Sequence, residues 1–201
     1  MVLLFVRGFL YQDLIRKSVQ EGIDLRQQLL SLGSQIEAAG QCLIDHLKSG
    51  GRVFFCGNGG SAADCQHLAA ELVGRFEMEN QLNALALTTD SSILTAVGND
   101  FGFDQIFVRQ LRALGRPGDC LVGISTSGNS PNVVKAVEAA QEMQIATIGL
   151  SGGQGGQLAQ LCNHCLVIPC QRTCRVQEMH IAVGHIWCEM IEEARRRGHL
   201  P

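Results

Sequence analysis

Five short apolar runs, each parted from the next by enough residues for a helix, constrain this 201-residue chain more than any other feature. They predict strands at 52–56, 83–88, 120–124, 145–150 and 165–168. Between and after them, helical patterning predicts helices at 61–77, within 90–114, at 131–143, near 155–162 and at 173–196. Gaps this long exclude hairpins, so the strands must pair in parallel through right-handed crossovers. The fold class expected is α/β, a doubly wound, flavodoxin-like parallel sheet of five strands. Ahead of it, Leu14, Val19, Ile23, Leu29, Leu30, Ile36, Leu43, Ile44 and Leu47 recur at roughly helical spacing, which predicts two N-terminal helices with a break near Gly33-Ser34. The organisation expected is an extension at 1–10, helices at 11–50 that pack on the domain and serve in oligomerisation, and the α/β domain at 51–197.

In a doubly wound sheet, ligands bind beyond the carboxyl ends of the strands, where the winding reverses. Two loops of one design stand there. Gly57-Asn58-Gly59-Gly60-Ser61 follows Val53-Phe54-Phe55-Cys56, and Ser125-Thr126-Ser127-Gly128-Asn129-Ser130 follows Leu121-Val122-Gly123-Ile124. Each sets small residues, hydroxyls and unpaired backbone N–H groups at a helix start, where the dipole favours an anion. Gly57-x-Gly59-x-x-Ala62 also fits a relaxed dinucleotide fingerprint. That reading needs an acidic residue at the end of the next strand, about 20 residues on, and Asp90 lies late for it. The hydroxyls of Ser125, Thr126, Ser127 and Ser130, followed by Pro131 at a favoured first-turn position, suit a phosphate monoester better.

Composition narrows the classes further. With 46% hydrophobic and 17% charged residues, the chain can bury a sizeable core. A net charge of -3 carries no basic footprint for nucleic acid, and the one basic run, Arg195-Arg196-Arg197, reads as a helix end that complements the dipole. Nine cysteines, an odd number, sit mostly inside apolar segments, as expected in a reducing compartment. Cys162-Asn163-His164-Cys165 with Cys170 and Cys174 lacks the spacing of a two-knuckle zinc site, and Cys165 leads straight into a strand. The apolar start Met1-Val2-Leu3-Leu4-Phe5-Val6 is too short for a signal or a membrane span. A soluble, cytoplasmic protein is expected, with no nucleic acid and no membrane among its partners.

Behind the first loop, His67 and Glu71 stand i, i+4 on one helix face, able to bind a metal or to act as an acid–base pair. The last helix adds Gln177, Glu178, His180, His185 and Glu189. At 100° per residue, Gln177 and His185 lie about 80° apart, whereas Glu178 and His185 are nearly aligned, so spacing leaves both residues open as partners of His185.

Four ordered motifs then carry a resemblance. Cys56 to Asp64 with His67 and Glu71, Gly98-Asn99-Asp100-Phe101-Gly102-Phe103, Gly123 to Ser130, and Arg175-Val176-Gln177-Glu178-Met179-His180 together resemble the sugar isomerase (SIS) domain family, and more narrowly its bacterial phosphoheptose isomerases, from about Tyr11 to Glu193. The resemblance implies conversion of sedoheptulose 7-phosphate to D-glycero-D-manno-heptose 7-phosphate through an enediol, for the heptose of lipopolysaccharide or surface glycans. It implies one zinc per subunit, held by His67, Glu71, Gln177 and His185, and so selects Gln177 over Glu178. By the same resemblance Glu71 is the base and His185 its acid–base partner. Ser125, Thr126, Ser127 and Ser130 hold the phosphate; Asn58, Gly59, Gly60, Ser61, Glu71, Asn99, Asp100 and Gln177 line the rest of the substrate. Homotetramers with sites at subunit interfaces are implied as well. The rival within the family is a non-enzymatic tetrameric adaptor that binds the replication initiator. Those relatives lack the carboxylate and histidine matching Glu71 and His185, both present here. Cys162, Cys165, Cys170 and Cys174 match no part of the family's site.

Overall fold

The computed structural model describes residues 2–200, with side chains from Tyr11 to Leu200. Two helices, α1 (Val2–Gln28) and α2 (Gly33–Lys48), precede β1 (Val53–Gly57), α3 (Gly60–Val73), β2 (Ala84–Ala86), α4 (Ser91–Phe101), α5 (Ile106–Leu114) and β3 (Cys120–Ile124). The chain continues through α6 (Pro131–Glu142), β4 (Ala146–Gly152), α7 (Leu158–Leu161), β5 (His164–Ile168) and α8 (Thr173–Arg196). The expected extension at 1–10 lies outside the residues whose side chains are described.

The five strands form one parallel sheet in the order β2-β1-β3-β4-β5. This is the doubly wound, flavodoxin-like order, with its reversal between β1 and β3. Both central strands are buried along their whole length, as expected of a sheet covered on two faces. Side chains alternate between the two cores. Val53 and Phe55 join a cluster with Leu43, Leu68, Val183 and Trp187 from α2, α3 and α8, whereas Phe54 and Cys56 join Phe107, Leu111, Val133 and Val137 from α5 and α6. Each buried phenylalanine contributes roughly 1.5–3 kcal/mol through the area it withdraws from water. Gly123 lets α6 lie close on β3, since a Cβ there would stand 3.0 Å from Val133.

Two boundaries differ from the sequence reading in an instructive way. The break between the first two helices falls earlier than Gly33, in the 3₁₀ turn Leu29–Leu32, because Leu29 is anchored in the core while Leu30 stands 85% exposed. Helix α3 stops at Val73 rather than 77. Gly74 ends it, and the following residues fold into a loop tied by an Arg75–Glu79 bridge. Helix α1 is fastened to α8 by Arg175, which donates to Ser18, and to the residue just before α8 by the Arg172–Glu21 ion pair. Its apolar residues Tyr11, Leu14, Ile15, Val19 and Ile23 remain largely exposed. No helix among the described residues is long and apolar enough to cross a membrane.

Candidate active site

Both loops lie at carboxyl ends of adjacent strands, because β1 and β3 pair directly and run out together at Gly57 and Ile124. In the second loop the hydroxyls form a connected set. Ser125 Oγ is 2.8 Å from Ser130 Oγ and 3.4 Å from Ser127 Oγ, and Ser127 Oγ accepts from the backbone N–H of Asn129 at 3.2 Å. Ser130 stands at the N-cap of α6 but does not cap it, and the first turn holds no acidic residue. Pro131 has no N–H and that of Val133 is bonded to Ser130 O and Asn132 Oδ1, so within that turn the backbone N–H of Asn132 is the donor left for an anion. Gly128 has φ +69°, and a Cβ there would fall 1.9 Å from the carbonyl oxygen of Gly155. Only glycine fits.

The first loop opens α3 in a similar state. Gly59 at the N-cap adopts φ 54°, no side chain caps the helix, and its first turn has no acidic residue. Helix α4 makes the contrast, because Asp90 Oδ1 accepts from Ile93 N at 2.9 Å and caps it. Asp90, weighed above as a ribose ligand, is thereby occupied. Asn58 pairs reciprocally with Asn132 through two amide bonds of 2.8 and 2.7 Å, which joins the first loop to the start of α6. Asn132 is only 2% exposed and carried no signal in the sequence. It becomes visible only once β1 and β3 are neighbours.

Helices α3 and α8 bring three ionisable side chains together. His67 Nε2 lies 3.2 Å from Glu71 Oε1 and 2.9 Å from His185 Nε2. The close approach depends on Gly184, where a Cβ would meet Leu68 at 2.5 Å. Two neutral imidazole nitrogens cannot both present lone pairs at such a distance, so either one proton or a cation must lie between them. Among the described residues no three His, Cys, Asp or Glu side chains converge on one metal-sized centre. As placed, His67 bridges Glu71 and His185 without sharing a centre with them. The donors are nonetheless imidazole nitrogens and a carboxylate, with the Gln177 amide nearby, which is a chemically suitable set for zinc.

Of the two residues left open by helical spacing, Gln177 is the one brought to the loops. A Cβ on Gly60 would lie 1.9 Å from Gln177 Nε2, so the amide sits where the first loop has no side chain. Glu178 points away into its ion pair with Arg175. Asp64, within the first motif, also belongs here. Burial pushes its carboxyl up to about 6, opposed by the charge of His67 and a hydrogen bond from Gln177, and its Oδ2 has no hydrogen-bond partner. Asn99 and Asp100 are exposed at the end of α4, where Asn99 donates to Asp100 at 2.8 Å. No hydrogen bond or ion pair among the described residues joins them to the other site side chains.

His180, three residues from Gln177, takes another role. It is fully buried, its Nε2 is 3.0 Å from the carbonyl of Ser151, and burial lowers its pKa to about 4. It supports the end of β4 beneath the second loop, where Ser151 Oγ donates to Gly155 O. All nine cysteines are free. Cys162 and Cys165 both pack over Gly149, and burial raises their thiols to about 12 and about 11.

Comparison with known proteins places this site in context. Residues 20–152 match the model of the SIS domain. The chain is 51% identical over 181 residues to the phosphoheptose isomerase of Akkermansia muciniphila, spanning 90% of this chain and 96% of the relative. It is 50% identical over 182 residues to a phosphoheptose isomerase of Campylobacter jejuni, spanning 90% and 98%. Among solved structures, the phosphoheptose isomerase of Neisseria gonorrhoeae superposes with a TM-score of 0.86 at 46% identity, covering 90% of this chain and 98% of the other. The chain belongs to the SIS-domain family and, within it, to the phosphoheptose isomerases.

Proposed function

We propose that the protein isomerises sedoheptulose 7-phosphate to D-glycero-D-manno-heptose 7-phosphate, the aldose used for heptose biosynthesis. The observation that carries this is the contact of Glu71, His67 and His185, on helices α3 and α8, in a sheet whose two adjacent strand-end loops open helices without a side-chain cap. Aldose–ketose isomerisation moves a proton between adjacent carbons through an enediol, so it needs a base that reaches both carbons and stabilisation of charge on oxygen. Glu71, i, i+4 from His67 and one-fifth exposed, takes the proton from one carbon and returns it to the other. His185 exchanges protons with the oxygens at the opposite side and assists ring opening. Ser125, Thr126, Ser127, Ser130 and the first turn of α6 hold the phosphate, while Asn58 to Ser61, Asn99 and Asp100 line the sugar.

His67, Glu71, Gln177 and His185 are the residues that would hold zinc, which would orient the sugar oxygens and polarise the carbonyl. The exposed apolar residues of α1 support association into the expected homotetramer, with a second copy covering them. The free thiols agree with a cytoplasmic location. The adaptor reading is not favoured, since Glu71 and His185 are both present and placed together.

Purified protein supplied with zinc should convert sedoheptulose 7-phosphate to the aldose phosphate. Glu71→Gln and His185→Gln should each lower kcat by ~10²–10⁴-fold. Metal analysis of protein purified without chelator should find zinc, and removing it should abolish turnover. A wild-type protein that is inert with zinc present would overturn the proposal.

A further inference from the structure

The loop after α3, residues 74–82, contributes nothing to the site as described so far, yet it is fastened by a carboxylate buried in the core. Glu192 is 1% exposed, and its Oε1 accepts from the backbone N–H of Glu77 at 3.1 Å, from that of Met78 at 2.8 Å, and from Asn80 Nδ2 at 3.2 Å. Its other oxygen has no hydrogen-bond partner, the nearest cation being Arg196 at 3.7 Å. Burying an ionised carboxylate is costly unless its lone pairs are engaged, and an aliphatic residue would fill a core position of α8 at lower cost. The charge instead collects two loop N–H groups that would otherwise lack partners.

What the loop carries explains the arrangement. Phe76 packs against the core with its ring centroid 5.8 Å from that of His185, tilted by 33°. His185 also meets His67, with ring centroids 5.1 Å apart. Seven residues, close to two full turns, separate His185 from Glu192, so both project from one face of α8 and the loop spans the distance between them. Asn80 ties the same loop to α3 by donating to the Glu71 carbonyl at 3.2 Å.

We infer that Glu192 is a positioning residue for the reaction: it fixes the 74–82 loop so that Phe76 holds the His185 imidazole against its partner on α3. The inference rests on the isomerase reading for its catalytic consequence and on geometry alone for the orientation of His185. A general acid must sit within hydrogen-bond reach of its target, and an imidazole freed on one flank samples unproductive orientations.

The test compares wild type with Phe76→Leu, Glu192→Leu and Glu192→Gln, using steady-state turnover of sedoheptulose 7-phosphate and the imidazole C–H signals of His185 in ¹³C-labelled protein, assigned through His185→Gln. Phe76→Leu and Glu192→Leu should each lower kcat by about tenfold with KM within about threefold. Their combination should cost no more than the larger single effect, since both act through one contact. Both should shift the His185 signals. Glu192→Gln keeps the accepting oxygen and should restore both readouts to near wild type. If Glu192→Leu does not fold, Asn80→Ala removes one of the three bonds and should move kcat and the His185 signals in the same direction. Unchanged His185 signals and kcat in Phe76→Leu, or a folded Glu192→Leu that keeps wild-type kcat, would overturn the inference. An inert wild type would overturn the isomerase reading instead, leaving the His185 signals to decide on the orientation.

Discussion

The two strand-end loops share a design but are held in place differently. Ser125 to Ser130 is organised from within, its three serine hydroxyls linked to one another and its glycine pressed beneath Gly155. Gly57 to Ser61 makes few bonds of its own and is placed from outside, by the Asn58–Asn132 amide pair and by the Gln177 side chain against Gly60. A loop proposed to hold a dianionic phosphate monoester profits from donors ordered before the ligand arrives. A loop that launches the helix bearing His67 and Glu71 must instead report the position of α8.

Removing hydroxyls should break this comparison most sharply. Ser125→Ala with Ser130→Ala should raise KM for the sugar phosphate by roughly 10–100-fold while kcat changes far less, since hydrogen bonds to a charged group contribute about 1.5–3 kcal/mol. Inorganic phosphate should lose its inhibitory strength in parallel, which competition kinetics would measure. A large fall in kcat with unchanged KM would mean that the second loop does not hold the phosphate.

Glycine substitutions sharpen the same contrast at a smaller scale. Gly128→Ala adds a Cβ against backbone at positive φ and should lower stability by about 1–3 kcal/mol in thermal or urea unfolding. Gly60→Ala meets only the end of the flexible Gln177 side chain, which can swing aside. It should leave stability within about 1 kcal/mol and instead weaken zinc retention, measured by competition with a chelator.

The smallest effect expected is a dependence on acid at His180, beneath the second loop, read as a difference between wild type and variant because the raised Asp64 carboxyl titrates in the opposite sense over the same range. His180 is held neutral, with its folded-state pKa lowered to about 4 from 6.5. The unfolded chain therefore binds the extra proton between those values, and the His180 contribution to stability falls as pH drops below about 6.5 and levels off below about 4. Between pH 7 and 5.5, in thermal unfolding, a His180→Asn variant should lose about 1 kcal/mol less stability than wild type.

Much of the fold was legible because the patterns that encode it are local. Strand β3 and helix α8 fall at 120–124 and 173–196 as the periodicity predicts. The segment Arg75-Phe76-Glu77-Met78 misled because its residues favour helix. What diverts it is Glu192, 115 positions downstream of Glu77, which binds its N–H groups in competition with a further helical turn. The loops and the His67–Glu71 pair were readable from spacing alone. The placing of Gln177 rather than Glu178 against the first loop was not, because it depends on the missing side chain of Gly60; Asn132 acquires meaning through Asn58, which the sheet order brings beside it, and Asp64 through Gln177, which the docking of α8 supplies.

The distance along the chain between His67 and His185, 118 residues, governs when activity can arise. During synthesis His67 leaves the ribosome well before His185, and the core that β1 and α3 share with α8 stays open while α8 is still inside. Until that helix docks through Val183 and Trp187, neither His185 nor Gln177 is present beside Glu71. A chain stalled or clipped before α8 thus lacks half of the His67–Glu71–His185 cluster's framework, and catalytic competence becomes a report that synthesis has passed through α8.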